Sequence, residues 1–282
     1  MEERKHIVIL AAGDFPTHPV PLRALREADF VVCCDSAYNE FHRHIPLSPS
    51  DSSPVSGEQH KKGLLDPSSA LPLTQGEYPK GGRGYISTTK KNEELRMKNY
   101  VVIGDGDSLS DEDKRQLGDR WVHVPEQDYN DLHKAMDYAT SHFPPPTSHF
   151  TLLGATGKRE DHTLGNISYL VTFTEEHPGA DIEMLTDYGR FIALGPSPST
   201  SHLSPFSISP FSFTLPSFPG QQVSIFSMDP NTRISSEGLR WPLDGFRARR
   251  WWQATLNEAL GDSFTLTTDG WLVVFQTYEA KR

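Results

Sequence analysis

The chain has 282 residues, 36% of them hydrophobic and 23% charged, enough to bury a sizeable core in one large domain or two smaller ones. With 37 acidic against 27 basic residues its formal charge is −10, which argues against a nucleic-acid-binding or anionic-membrane surface built on clustered Lys and Arg. An anionic ligand would therefore need a local metal or a local Arg.

Short β-branched runs recur, each leading into a polar loop: "HIVILAAGD" (6–14), "FVVCCDS" (30–36), "YVVIGDGDS" (100–108), "WVHVPEQD" (121–128), "FTLLGATG" (150–157) and "DIEMLTD" (181–187). Near-continuous apolar runs of this length predict strands covered on both faces. The first run is also too short for a signal peptide or a membrane span. The two cysteines, Cys33 and Cys34, are neighbours on a predicted strand and point to opposite faces, so they are poorly placed to bridge and fit a reducing, cytoplasmic setting. Between strands, "DLHKAMDYATSHF" predicts a helix with Leu132, Ala135, Met136, Ala139 and Phe143 on one stripe. "DHTLGNISYLVTF" predicts another, with Leu164, Ile167, Leu170 and Val171 inward and Asp161 at its start. Strands alternating with helices imply an α/β fold with a doubly wound, mostly parallel sheet over residues 1–195.

Two stretches interrupt this pattern. Residues 47–98, rich in Ser, Pro, Gly and Lys, read as a solvated insertion; their "GGRG" (81–84) has no strand before it and makes a poor phosphate loop. Residues 196–219, rich in Ser, Pro and Phe, read as a linker. Beyond it, "QQVSIFSMD", "DSFTLTTDG" and "WLVVFQTY" predict a smaller antiparallel β-domain over 220–282, with a hairpin turn at Asp269–Gly270.

Acidic residues collect where the α/β strands end: Asp35, Asp105 and Asp107, Asp128 and Asp131, and Asp161. Ligands of open α/β sheets bind beyond those ends, and magnesium takes hard oxygen ligands together with substrate phosphates. "GATGKR" adds small residues for close backbone approach, with Lys158 and Arg159 as cations. Each acid also has a structural reading: Asp161, Asn130 or Asp131 as helix caps, Asp35 as a turn former. A strand ending in Asp-x-Asp is also found in haloacid-dehalogenase-like phosphohydrolases, where Asp105 would be the nucleophile, although the motif usually sits on the first strand there and on the third here.

In order, "CCDS" (33–36), "GDGDS" (104–108), "QDYNDLHKA" (127–135) and "GATGKREDHTLGN" (154–166) resemble the four blocks of the thiamine pyrophosphokinase family. "EGLRWPL" (237–243) and "ATLNEALGD" (254–262) are similar to segments of that family's β-sandwich thiamine-binding domain. The resemblance implies a transferase that moves the pyrophosphoryl group of ATP to the thiamine hydroxyl, giving thiamine diphosphate and AMP. It implies that Asp105, Asp107 and Asp131 hold Mg²⁺ and, with Asp161, form the catalytic set. By the same resemblance Asp35, Gln127, Asn130, Lys134 and Arg159 surround ATP, and Ser108, Thr255 and Asn257 contact thiamine. It also implies a cytoplasmic homodimer with no nucleic-acid or membrane partner. The chain departs from the pattern at Gly106, where Phe is usual, at Asn130, where Thr is usual, and at Ala254 and Leu256, where hydroxyls are common. A non-catalytic thiamine- or nucleotide-binding protein is the remaining alternative.

Overall fold

The computed structural model describes residues 4–44, 99–196 and 210–280. The expected insertion 47–98 and residues 197–209 of the expected linker lie outside the described residues. All six predicted α/β runs form strands: β1 Lys5–Leu10, β2 Phe30–Cys34, β3 Tyr100–Gly104, β4 Trp121–His123, β5 Ser148–Leu153 and β6 Asp181–Leu185. They pair in parallel in the order β6-β5-β1-β2-β3-β4. The chain thus steps outward from β1 to β4 on one side and continues at β5 on the other. Such a reversal opens a crevice beyond the carboxyl ends of the strands.

Helices α1 Pro19–Arg26, α2 Tyr38–His44, α3 Asp111–Leu117, α4 Asp131–His142 and α5 Glu160–Glu176 accompany this half. β1, β2, β3 and β5 end in four buried residues or are buried throughout, which is what cover on both faces produces. Cys33 and Cys34 are both buried and unbridged. α4 starts where its sequence signals: the Asn130 side chain accepts from the His133 N–H at 2.9 Å, and Leu132, Ala135, Met136 and Ala139 are buried. α5 corrects two expectations. Arg159, without a side-chain cap, occupies the cap position and Asp161 lies inside the first turn. Leu164, expected inward, is 51% exposed because the early turns of α5 are open; a side chain at Gly165 would meet nothing within 4 Å.

The remaining strands are β7 Gly189–Leu194, β8 Phe211–Pro216, β9 Gln221–Ser227, β10 Ile234–Glu237, β11 Asn257–Glu258, β12 Ser263–Thr268 and β13 Leu272–Ala280. β7 turns antiparallel against β6, and β13, β9 and β11 continue the same sheet, which has ten strands among the described residues. β10, β12 and β8 form a separate antiparallel sheet of three. A second core, including Val223, Ile225, Ile234, Phe264, Leu266 and Val274, draws on strands of both sheets, giving the expected C-terminal sandwich. Two expectations change here. Phe211–Pro216, read as linker, is β8, whose Leu215 is buried. Asp269–Gly270 makes no hairpin: β12 and β13 belong to different sheets. The corner is tied by hydrogen bonds between Thr268 Oγ1 and the backbone of Gly270, whose Cβ, if present, would lie 2.4 Å from Thr232 Oγ1.

Candidate active site

The strand-end acids are built around Asp35, which follows β2 and is 1% exposed. The Gly106 N–H donates to its Oδ2 at 2.8 Å, while Oδ1 is buried without a hydrogen-bond partner. A Cβ on Gly104 would lie 2.4 Å from the Asp35 Cγ, so only glycine leaves the carboxylate its space. Gly106 has φ +86°, which directs its N–H at Asp35 at little cost for glycine. This accounts for the departure from the family pattern at Gly106 in local terms: the volume of a side chain there is taken by Trp121 and Lys114, 2.9 and 3.0 Å from an ideal Cβ. Burial first, then the charge of Asp131, push Asp35 up to about 6.

Asp105 is half-buried and its carboxylate is already engaged. Oδ1 accepts from the Asp107 N–H at 3.0 Å and Oδ2 from Gln127 Nε2 at 2.9 Å. Those two bonds, the backbone one first, hold Asp105 below the usual carboxylate range. Asp107 and Ser108 are exposed on the turn itself. On α4, Asp131 faces both Asp35 and Lys134, whose Nζ lies 3.5 Å from Asp131 Oδ1. Lys134 is 6% exposed, a cation buried among carboxylates that it partly neutralises. Asp35, Asp105, Gln127, Asp131 and Lys134 are thus joined by direct contacts or mutual charge effects.

The loop after β5 brings the second group to the same sheet edge. The Arg159 guanidinium forms a two-point pair with Asp161, at 3.1 Å from Nε and 2.5 Å from Nη2, on an exposed surface. Lys158, expected as a cation for a phosphate, donates Nζ to the Ala12 carbonyl at 2.8 Å from a left-handed backbone, φ 57°. Its ammonium sutures the β5 loop to the β1 loop. Buried Asn166 donates to the Ala155 carbonyl at 2.8 Å and fastens the same loop to α5. Asp128 lies outside the cluster; its N–H bonds the Glu126 carboxylate.

In the C-terminal half Asn257 is 5% exposed and its amide makes three hydrogen bonds to backbone. It donates to the Trp241 carbonyl at 2.7 Å and accepts from the Trp241 and Glu258 N–H groups at 3.1 and 2.8 Å. Thr255 donates to the Trp252 carbonyl. Between them Leu256, 64% exposed, adopts φ 57°, strained for a non-glycine residue. These contacts fix the loop carrying Trp241, Trp251 and Trp252, all exposed by half or more.

Among the described residues no group of three or more His, Cys, Asp or Glu side chains is arranged to hold a metal ion, so Asp105, Asp107 and Asp131 do not form a closed cage. Sequence reasoning passed over Asp14, whose carboxylate packs against Gly157, where a Cβ would lie 2.0 Å from Oδ2. It also passed over Asp187, which accepts from the Thr17 and His18 N–H groups and anchors the entry to α1. Asp187 carries the same mark as the other acids, a carboxylate just past a strand.

Fold and site define a doubly wound α/β protein with carboxylates and cations gathered beyond its strand ends, merged into an antiparallel sandwich. Residues 22–183 match the family model for the thiamin pyrophosphokinase catalytic domain, and residues 206–275 the model for its substrate-binding domain. The chain belongs to the thiamin pyrophosphokinase family. It is 31% identical over 160 residues to thiamine pyrophosphokinase 1 of Oryza sativa subsp. japonica, a match covering 53% of this chain and 54% of that relative, about half its length. Among solved structures, the fold resembles yeast thiamin pyrophosphokinase, at TM-score 0.65 and 13% identity over 98% of this chain and 87% of that one. It also resembles the Candida albicans protein, at 0.62 and 14% over 98% and 90%, and the Bacillus subtilis protein, at 0.59 and 15% over 96% and 98%.

Proposed function

We propose that the chain is a thiamine pyrophosphokinase, transferring the pyrophosphoryl group of ATP to the thiamine hydroxyl and releasing AMP. The observation that carries this reading is the linked set Asp35, Asp105, Gln127, Asp131 and Lys134 at the strand ends of a chain belonging to this family. Pyrophosphoryl transfer is mostly positioning and charge neutralisation, and the set offers both. Lys134 and Arg159 are the cations that face phosphate oxygens. Asp161 holds the Arg159 guanidinium in one orientation while leaving Nη1 outside that pair. Gln127 keeps Asp105 oriented, and Asn130 presents the first turn of α4.

The donors present fit magnesium: hard carboxylate oxygens on Asp105, Asp107 and Asp131, with the unpartnered Asp35 Oδ1 behind them. Mg²⁺ commonly takes one or two carboxylates and completes its shell with water and phosphate, so the lack of a closed cage is compatible with it. When bound it would offset the charge of the phosphates. On this reading a carboxylate beside the metal accepts the thiamine hydroxyl proton, and Asp107, exposed and without a side-chain partner among the described residues, is the one proposed for it.

ATP is assigned to the α/β half, residues 1–195, and thiamine to the C-terminal half, which begins at β8 instead of residue 220. Thiamine is cationic and aromatic, so Trp251 and Trp252 offer suitable ring faces; Trp241 already carries Arg240 5.9 Å from its ring centre. Ser108, Thr255 and Asn257 shape that side, Asn257 by holding the Trp241 backbone. The proposal includes a homodimer, which sedimentation would test, and a cytoplasmic setting supported by two buried, unbridged cysteines. No described helix is long and apolar enough to cross a membrane. The deciding experiment supplies thiamine, ATP and Mg²⁺ and identifies the nucleotide product. AMP formed only with thiamine is expected; ADP, or turnover without thiamine, overturns the reading.

A further inference from the structure

Tyr129 lies between Gln127, which bonds Asp105, and Asp131, which faces Asp35. It is a large aromatic side chain left 53% exposed, yet its ring is held firmly. One face stacks on His133, with ring centres 4.2 Å apart and planes 13° apart. His133 is in turn packed against Tyr169, 5.3 Å away, while its Nδ1, 3.3 Å from Asp137 Oδ2, makes no hydrogen bond. Glu126 fixes the backbone below by accepting from the Asp128 and Tyr129 N–H groups. Among the described residues of the α/β half, Leu164 and Tyr188 are the other exposed large apolar side chains, and neither is a sequence neighbour of a residue of the Asp105 cluster.

We propose that the ring of Tyr129 is the stacking platform for the base of the nucleotide donor. The proposal rests on the nucleotide-dependent reading above and extends it to a residue for which that reading has no role. A nucleotide held by its phosphates at the carboxylate cluster leaves a planar, partly apolar base one sugar away. A braced aromatic ring with an open face recognises such a group by its π-surface. Stacking of this kind tolerates different bases, so the platform supplies affinity more than selectivity between purines.

The test compares ATP with inorganic tripolyphosphate, which has the phosphates and no base. Binding of each is measured by calorimetry with Mg²⁺ on the full chain and on Tyr129→Ala and Tyr129→Phe. Tyr129→Ala is expected to weaken ATP about tenfold while leaving tripolyphosphate unchanged, and Tyr129→Phe to keep wild-type binding of both. In turnover the alanine variant should raise the KM for ATP and leave kcat largely intact. Equal weakening of both ligands would make Tyr129 a mere support for the Gln127 loop and overturn the proposal. So would unchanged ATP binding, or a wild-type chain that holds ATP no more tightly than tripolyphosphate. Absence of AMP formation by a wild-type chain that still prefers ATP would overturn the pyrophosphokinase reading and leave the platform standing.

Discussion

Gly104 and Gly106 flank Asp105 and serve a single carboxylate, that of Asp35, one by leaving room for it and the other by donating to it. A methyl at 106 must accept φ +86° and push against Trp121 and Lys114. Gly106→Ala is therefore expected to cost about 1–3 kcal/mol, read as a lowered urea midpoint with unchanged slope. Asp35 makes a prediction of opposite sign. Its folded pKa of about 6 stands above the ordinary 3.8, so its contribution to stability is fully present below pH 3.8 and is lost as pH rises through 6. Asp35→Asn keeps an acceptor for Gly106 and removes the buried charge. In metal-free buffer its Tm should exceed that of wild type by about 3 °C at pH 8 and match it at pH 3.5. Asp105→Asn leaves one acceptor oxygen in place of two, and on the proposed function kcat should fall about 100-fold or more with the fold intact by circular dichroism.

At the scale of elements, α4 was readable because its cap, apolar stripe and length all agree, and the six α/β strands because each is a short apolar run ending in polar residues. Asn257 shows what was not readable. The resemblance of its segment to the family's suggests a ligand contact, and only the three-dimensional placement of Trp241 opposite it reveals an amide bonded to backbone through both its oxygen and its nitrogen. Asn257→Ala should strand the Trp241 N–H and carbonyl and cost about 2 kcal/mol of stability, whatever thiamine does. Lys158 shows the same, since a lysine beside glycines suits a phosphate and only the structure shows its bond to the Ala12 carbonyl. β8 was hidden because its Ser and Thr face outward: Ser212 and Thr214 pair with Thr267 and Thr265 across the sheet, leaving a polar pattern that resembles a linker. The Asp269–Gly270 corner carried the residues of a hairpin, and only the pairing partners of β12 and β13 decide against it.

At the scale of the whole molecule, β1 and β5 carry, at their amino ends away from the site, a half-buried histidine pair whose rings lie 5.1 Å apart. Burial and the charge of His149 lower His6 to about 4; for His149 burial is outweighed by Asp181 and Glu183, which push it up to about 9. The stabilising contribution of His149 is complete below pH 6.5 and is lost as pH rises through 9. The depressed pKa of His6 costs stability as pH falls from 6.5 through 4. For this pair the Tm should peak near pH 6.5, and His149→Gln should flatten the alkaline limb of the profile. Farther along the sheet, buried Gln276 on β13 accepts from Arg190 of β7 and donates to the Pro216 carbonyl of β8 and to Gln221 of β9. β13 is the last of the described strands, yet lies between β9 and β7 in the interior of the ten-stranded sheet. Until β13 docks, β7 is paired only with β6 and β9 only with β11, so each keeps one open edge. A chain in which β13 is undocked therefore exposes two strand edges inside what becomes one continuous sheet, each a template for pairing with another chain.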